Sequence, residues 1–483
     1  MRTARFGGGA QCCAATRRVL GPGRPPGTGD PDPVGGKTAG HDDLHRRTAP
    51  GTRPDRAGAR AVAAGAVGNF IEWYEFGVYA YFATVVAANF FTPQGGGAAE
   101  ALVKTYATFA LAFFFRPLGA FLLGRAGDRF GRRPVLIAAV VTMTGATTLI
   151  RALPTYATAG AAAPWLLTAL RIVQGLSAGG EFGGAVALMT ECAPDGKRGR
   201  YGAWQSFTVA LGLLGGAAAA TLVTTVLSAA QVAAWGWRLP FLAALPMGAL
   251  ALLLRLGLPE SPAFRRTVPD RAGGDGAPPA PRPPLRSTAR EVVLGCGRLV
   301  AWSAAGYTFL VVLPSYLQNT VGASPARSLL TTVIANLGFA AAILPAGALS
   351  DRVGRRAVMV TGAALSAVCA LPLLHLVQQR SAPLWLTCGA VAVAGALVGL
   401  LAGPGPAMLA ETFRTPVRAT GLGVAYALSN AVFSGCAGLL VTELIRRTGN
   451  PDVPAYYVIV TCALGALALA TLHRDDHRRA LRD

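Results

Sequence analysis

From residue 61 to residue 472 the chain carries one apolar stretch after another, each long enough to cross a bilayer, with short polar loops between them. About 20 residues of helix span a hydrocarbon core, and there the backbone must satisfy its own hydrogen bonds. Such a chain is confined to a bundle of helices. Composition agrees, because 14% of the residues are charged against roughly 25% in soluble domains. A soluble enzyme with one anchor is excluded. The chain reads as an all-α membrane protein of about twelve transmembrane helices. The expected spans are 61–91, 102–124, 135–153, 162–190, 203–228 and 239–258, then 291–317, 327–349, 357–377, 383–410, 417–445 and 454–472.

A net charge of +21 invites a nucleic-acid reading, so the placement of that charge matters. With the N-terminus in the cytoplasm and sides alternating, 23 Lys and Arg beyond the N-terminal tail face the cytoplasm and seven face the other side. Cytoplasmic loops of membrane proteins carry this excess, so the charge reports topology rather than a nucleic-acid partner. The expected location is a bacterial-type inner membrane with both termini cytoplasmic. Trp235 and Trp237 are expected at the outer interface, where indoles favour the headgroup layer. The cysteines are scattered or merely adjacent, without metal or disulfide spacing, and no cofactor is expected.

Residues 1–60, rich in Gly, Pro, Arg and Asp, read as a disordered cytoplasmic tail. Residues 61–258 form a first six-helix bundle and 291–472 a second. Between them 259–290 holds eight prolines and reads as a central cytoplasmic loop, and 473–483 is a short tail. The two bundles repeat. Gly124-Arg125-Ala126-Gly127-Asp128-Arg129-Phe130-Gly131-Arg132-Arg133 closes the second span, and Gly347-Ala348-Leu349-Ser350-Asp351-Arg352-Val353-Gly354-Arg355-Arg356 closes the eighth, 223 residues later throughout. Parallel halves of six spans are the pattern of alternating-access carriers.

This duplicated loop resembles the signature of the major facilitator superfamily. Gly68-Asn69-Phe70-Ile71-Glu72-Trp73-Tyr74-Glu75-Phe76 in the first span is similar to a motif of its metabolite:proton symporter family. So are Arg116-Pro117-Leu118-Gly119, Arg171-Ile172-Val173-Gln174-Gly175, and Trp235-Gly236-Trp237-Arg238-Leu239-Pro240. Glu75 stands where that family usually has Asp, which keeps the charge and lengthens the side chain. The resemblance covers about 61–472. It implies proton-coupled import of a small organic solute, a carboxylate or zwitterion, by a monomer working with protons inside the lipid bilayer. The alternative is a proton-driven efflux antiporter of the same fold. No nucleotide-binding loop or nucleophile motif is present, so an enzyme is not expected.

Ionisable side chains inside a membrane are functional candidates by default. Glu72 and Glu75 share one face of the first helix. Two carboxylates so close in a low dielectric repel when both are ionised, so one is a candidate to hold a coupling proton. The competing account pairs them permanently with Arg116 or Arg171. Those two arginines, with Tyr79 and Gln174, are the candidate substrate contacts, because the guanidinium fork matches a carboxylate. Arg298 lies near a span end, where it is expected to snorkel to the interface. Glu181, among glycines, is expected to be satisfied by a neighbour. A cytoplasmic gate is expected from Asp128, Arg129, Arg132, Arg133, Asp351, Arg352, Arg355 and Arg356. Glu191 and Glu411 are expected to join it as ion pairs with Arg198 and Arg418.

Overall fold

The computed structural model describes residues 56–92, 97–130, 132–191, 193–194, 196–257, 285–379, 381–414 and 417–473. Side chains at 56–64, 127–130, 132, 188 and 285 lie outside that description. The expected tails at 1–60 and 473–483 and the loop at 259–290 fall almost wholly outside it. Their edges are helical: the first helix begins at Arg56 and the seventh at Leu285.

Twelve helical rods follow one another among the described residues. The first half contains α1 (Arg56–Tyr81, prolonged by Ala83–Val86 and a π-turn at Ala87–Phe91), α2 (Ala98–Phe130) and α3 (Arg132–Ala152). It continues with α4 (Ala162–Gly179, then Glu181–Glu191), α5 (Arg198–Val226) and α6 (Arg238–Leu256). The second half contains α7 (Leu285–Tyr307, continuing through π-turns to Val321), α8 (Pro325–Val353) and α9 (Arg355–Gln378). It ends with α10 (Leu384–Ala402, then Gly405–Thr412), α11 (Arg418–Ser429, a π-turn at Asn430–Gly435, then Cys436–Thr448) and α12 (Val453–Leu469).

Among the described residues nine helical stretches are long and apolar enough to cross a membrane, and Val453–Leu469 is a shorter apolar helix. The two rods outside that set are α1 and α4. They carry Asn69, Glu72 and Glu75, and Arg171, Gln174 and Glu181, all buried. Burial inside the protein, rather than apolar composition, makes them compatible with a bilayer.

The internal repeat is also a repeat of packing. Within the first half α1 packs on α5, α2 on α4 and α3 on α6. Within the second, α7 packs on α11, α8 on α10 and α9 on α12. The α2–α4 and α8–α10 crossings need glycine at matching places. A Cβ on Gly175 would overlap the carbonyl of Ala112, and one on Gly395 would overlap the carbonyl of Ala335. Small residues allow such close approach, which replaces hydrophobic drive where lipid is as apolar as leucine. The halves meet along α5 against α8 and α2 against α11.

Two expectations fail. Trp235 is exposed, but Trp237 is buried against Phe90 and Phe241, because the chain turns inward to start α6. Arg298 does not snorkel. It is buried and donates from Nη1 to Thr412 at 3.2 Å and from Nη2 to Thr471 at 3.0 Å. Two hydroxyls close at hand give it partners inside the bundle.

Candidate transport site and gate

Glu72, Glu75 and Tyr79 project from α1, Arg116 from α2, and Arg171 and Gln174 from α4. The α2–α4 glycine seam holds the last two helices close, and the six side chains gather in the interior of the first half. Arg116 Nη2 lies 2.9 Å from Glu72 Oε1, and both side chains are buried. The same guanidinium sits over the rings of Phe76 and Phe113, 4.3 and 4.2 Å from their centroids. Cation–π contacts of this kind partly replace lost hydration.

Arg171 is fully buried and forms no ion pair among the described residues. Its guanidinium stacks 4.1 Å from the Tyr79 ring centroid, and Nη1 donates to Gln174 Oε1 at 2.7 Å. Among the described residues its Nε and Nη2 have no hydrogen-bond acceptor. Glu75, 1% exposed, accepts from Thr147 Oγ1 at 2.6 Å through Oε2, while its Oε1 has no donor. Of the pairings weighed from sequence, the structure contains one, Glu72 with Arg116. Glu75 and Arg171 are not paired directly. Thr147 of α3 and Gln174 link them, and Thr147 was missed: a threonine in an apolar span gives no periodic or charge signal.

A second ion pair lies nearer the end of the bundle. Glu181 is held by Arg255, whose Nη1 also donates to the Leu136 carbonyl at 2.6 Å. Gly68 of α1 leaves room for this pair, since a Cβ there would overlap both side chains. Arg255 is one of the 23 basic residues assigned to the cytoplasmic side from sequence. In the structure it is a buried partner in the last turn of α6.

A small cavity lies between the halves, lined by Trp73, Trp302, Tyr307, Phe339, Tyr426 and Asn430 among others. Arg116 lies 5.5 Å from the Trp73 ring centroid, so the charged cluster sits directly behind one wall of the cavity. Asn430 lies in the π-turn of α11, and π-turns often mark functional positions because they re-aim side chains. Sequence reading missed this wall, since aromatic residues in apolar spans look like core.

At the end of the bundle that carries the duplicated loops, Asp351 accepts from the backbone N–H groups of Gly199 and Arg200, at 2.7 and 2.9 Å. These are the first residues of α5, where unpaired N–H groups and the helix dipole favour an anion. A Cβ on Gly199 would collide with Arg355 and the Gly347 carbonyl, so glycine is needed on both sides of the crossing. Arg355 binds both Asp351, at 2.7 Å, and Glu411, at 3.0 Å.

The two glutamates expected nearby pair across the halves. Glu191 of the first half meets Arg418 of the second at 3.0 Å, and Arg198 of the first approaches Glu411 of the second at 4.0 Å. Sequence proximity suggested Glu191 with Arg198 and Glu411 with Arg418. The signal for crossing was present: both pairs share one seven-residue spacing, 220 residues apart, as a repeat with facing ends requires. Arg356 donates to the Leu472 carbonyl at 3.3 Å, Arg133 to that of Leu256, and Arg352 is exposed. The side chains of Asp128, Arg129 and Arg132 lie outside the described residues.

Residues 61–272 match the family described as sugar (and other) transporters, and residues 299–482 match the major facilitator superfamily. The chain is 33% identical over 428 residues to the proline/betaine transporter of Escherichia coli K12, covering 87% of this chain and 84% of that one. It is 34% identical over 436 residues to an ectoine/proline transporter of Corynebacterium glutamicum, covering 87% and 85%. Among solved structures, a proton:xylose symporter bound to a bromodeoxyglucose aligns with TM-score 0.70 at 18% identity, over 86% of this chain and 95% of that one. The partially occluded, inward-open xylose transporter of E. coli aligns with TM-score 0.67 at 19% identity, over 86% and 97%. Those likenesses show the fold. The chain is therefore a multi-pass membrane transporter rather than an enzyme, and it belongs to the major facilitator superfamily, among relatives of the proline/betaine and ectoine/proline transporters.

Proposed function

We propose that this protein imports a small zwitterion of the proline or betaine kind together with protons, by alternating access of the cavity between its halves. The observation that carries the reading is the buried cluster of two carboxylates and two arginines behind the Trp73 wall of that cavity. Membrane-buried charge is retained where it works on ions or ligands. Relatives named for proline, betaine and ectoine support the substrate class. A zwitterion suits both parts of the site. Its carboxylate matches the two N–H groups that Arg171 leaves without acceptors, and its cationic end suits the faces of Trp302, Tyr307 and Tyr426.

Glu75 carries the coupled proton in this reading. A buried carboxylate with one donor and no cation in contact is cheapest to hold as the neutral acid. Glu72, locked to Arg116, holds α1 to α2. The end bearing the duplicated loops faces the cytoplasm, as its excess of basic residues supports. Asp351 on α5, Glu191–Arg418 and the Arg355–Glu411–Arg198 group keep that end shut, and all must part when it opens.

The test is uphill uptake of radiolabelled proline or glycine betaine into proteoliposomes under an imposed pH gradient. Glu75→Gln is expected to abolish accumulation while exchange of solute across the membrane continues. Accumulation at the wild-type level by Glu75→Gln would assign the proton elsewhere.

A further inference from the structure

Four buried side chains from three helices form a chain of hydrogen bonds that ends on Glu75. Arg171 Nη1 donates to Gln174 Oε1 at 2.7 Å, Gln174 Nε2 donates to Thr147 Oγ1 at 2.6 Å, and Thr147 Oγ1 donates to Glu75 Oε2 at 2.6 Å. The direction of the first two links is dictated from the arginine end. Arginine has only donors, so the Gln174 amide turns its oxygen to Arg171 and its NH2 to Thr147. Thr147 therefore accepts from Gln174. Its single hydrogen has two acceptors in reach, Glu75 Oε2 and the Met143 carbonyl at 3.0 Å.

These two acceptors match the two charge states of a carboxyl group. Toward ionised Glu75 the hydroxyl donates. Toward protonated Glu75 it turns to Met143, and its oxygen accepts the carboxyl hydrogen beside the amide of Gln174. Only hydrogen bonds exchange, and the proton itself stays on Glu75 until it leaves the site.

We propose that Thr147 is the positioning residue of the proton site, a two-way hydrogen-bond switch that supports Glu75 in both charge states without contact to an arginine. The proposal rests on the reading that Glu75 carries the coupled proton. Its consequence is a division of labour. Arg171 supports Glu75 through two neutral groups and keeps Nε and Nη2 open for a solute carboxylate, which a direct ion pair would occupy. The other charged groups facing Glu75 are Glu72 on its own helix and Glu181 and Arg171 on α4. Glu72 and Glu181 are engaged by Arg116 of α2 and Arg255 of α6, so neither is placed to replace Thr147 as a donor.

The test compares Thr147→Val, which keeps the shape and loses the hydroxyl, with Thr147→Ser, which keeps the hydroxyl. Both are reconstituted in proteoliposomes with radiolabelled proline and glycine betaine as probes. The valine variant is expected to lose uphill accumulation on the order of tenfold, the weight of a hydrogen bond to a charged group. The pH midpoint of its uptake is expected to move by about one unit, with exchange continuing. Serine is expected to restore both. A valine variant with wild-type accumulation and pH profile would overturn the switch. So would valine and serine variants equally impaired in accumulation and exchange, because that pattern reports packing alone. Glu75→Gln run alongside separates the failures. If it keeps uphill uptake, the assignment of the proton to Glu75 falls. If it loses uptake while Thr147→Val keeps it, only the switch falls. A wild-type protein that concentrates neither probe removes both readings.

Discussion

The two halves use the same helices in the same packing order, yet among the described residues only the first is charged at its centre. The first half buries Glu72, Glu75, Arg116 and Arg171 there. At the offsets that superpose the two glycine seams, Arg116 falls on Phe339, Arg171 on Val391 and Gln174 on Ala394. The second half lines its side of the cavity with Trp302, Tyr307 and neutral polar groups. Ser303 and Ser429 lie 3.1 Å apart, and Ser434 donates to Asn430 at 2.8 Å. At the end bearing the duplicated loops the halves are alike again, each giving one glutamate and one arginine to the crossed pairs. Duplication is kept where the halves must grip each other symmetrically. It has diverged where the first half buries charge and the second lines the cavity with aromatic and neutral polar groups.

The comparison can be attacked first through stability. Glu181→Gln leaves Arg255 buried without its counter-ion and is expected to destabilise by ~3–5 kcal/mol. Asn336→Ala, at a buried neutral position of α8 in the second half, removes a donor to the Thr332 carbonyl and is expected to lose only ~1 kcal/mol. Thermal unfolding of both variants in detergent measures the contrast. Equal losses would mean that charge sets the first half apart in name only.

Binding provides the next contrast, between the two arginines. Arg171→Lys keeps the charge and loses the planar fork, so affinity for proline or glycine betaine is expected to fall by ~1–3 kcal/mol. Arg116→Lys, already committed to Glu72, is expected to lower stability more than affinity. Calorimetry on the two purified variants distinguishes them, and near-normal affinity in Arg171→Lys removes the clamp from the mechanism.

The smallest effect is expected at the gate, where the comparison predicts equality. Asp351→Asn weakens an anion at the N-terminus of α5, a contact of about 0.3–1 kcal/mol, while Arg355 keeps Glu411 as its counter-ion. That corresponds to a shift of roughly two- to fivefold toward the state open at this end. Asp128→Asn should match it, because the repeat sets α2 against the start of α11 as it sets α8 against the start of α5. Cysteine-accessibility labelling at the loop-bearing end measures both. A response from only one aspartate would show that the gate, like the centre, has become asymmetric.

By itself the sequence determined the bundle, its twelve rods and its two-fold repeat. Those follow from apolar length, proline-rich breaks and a motif at constant offset, which are local signals. It also singled out Glu72, Glu75, Arg116 and Arg171, because charge inside an apolar span stands out against its neighbours. Tertiary structure decided the partners. Glu72 took Arg116 and Glu75 took Thr147, since the register of α1 against α2 and α3 sets which oxygen meets which donor. Glu191 and Glu411 crossed to the opposite half, each meeting an arginine that the facing half presents. Arg255 and Arg298 became buried for a similar reason: a helix end is interior or exposed according to what packs beside it. The aromatic wall and the threonine relay were decided there too. Neutral residues carry no mark of their role until three helices bring them within hydrogen-bonding distance of a charge.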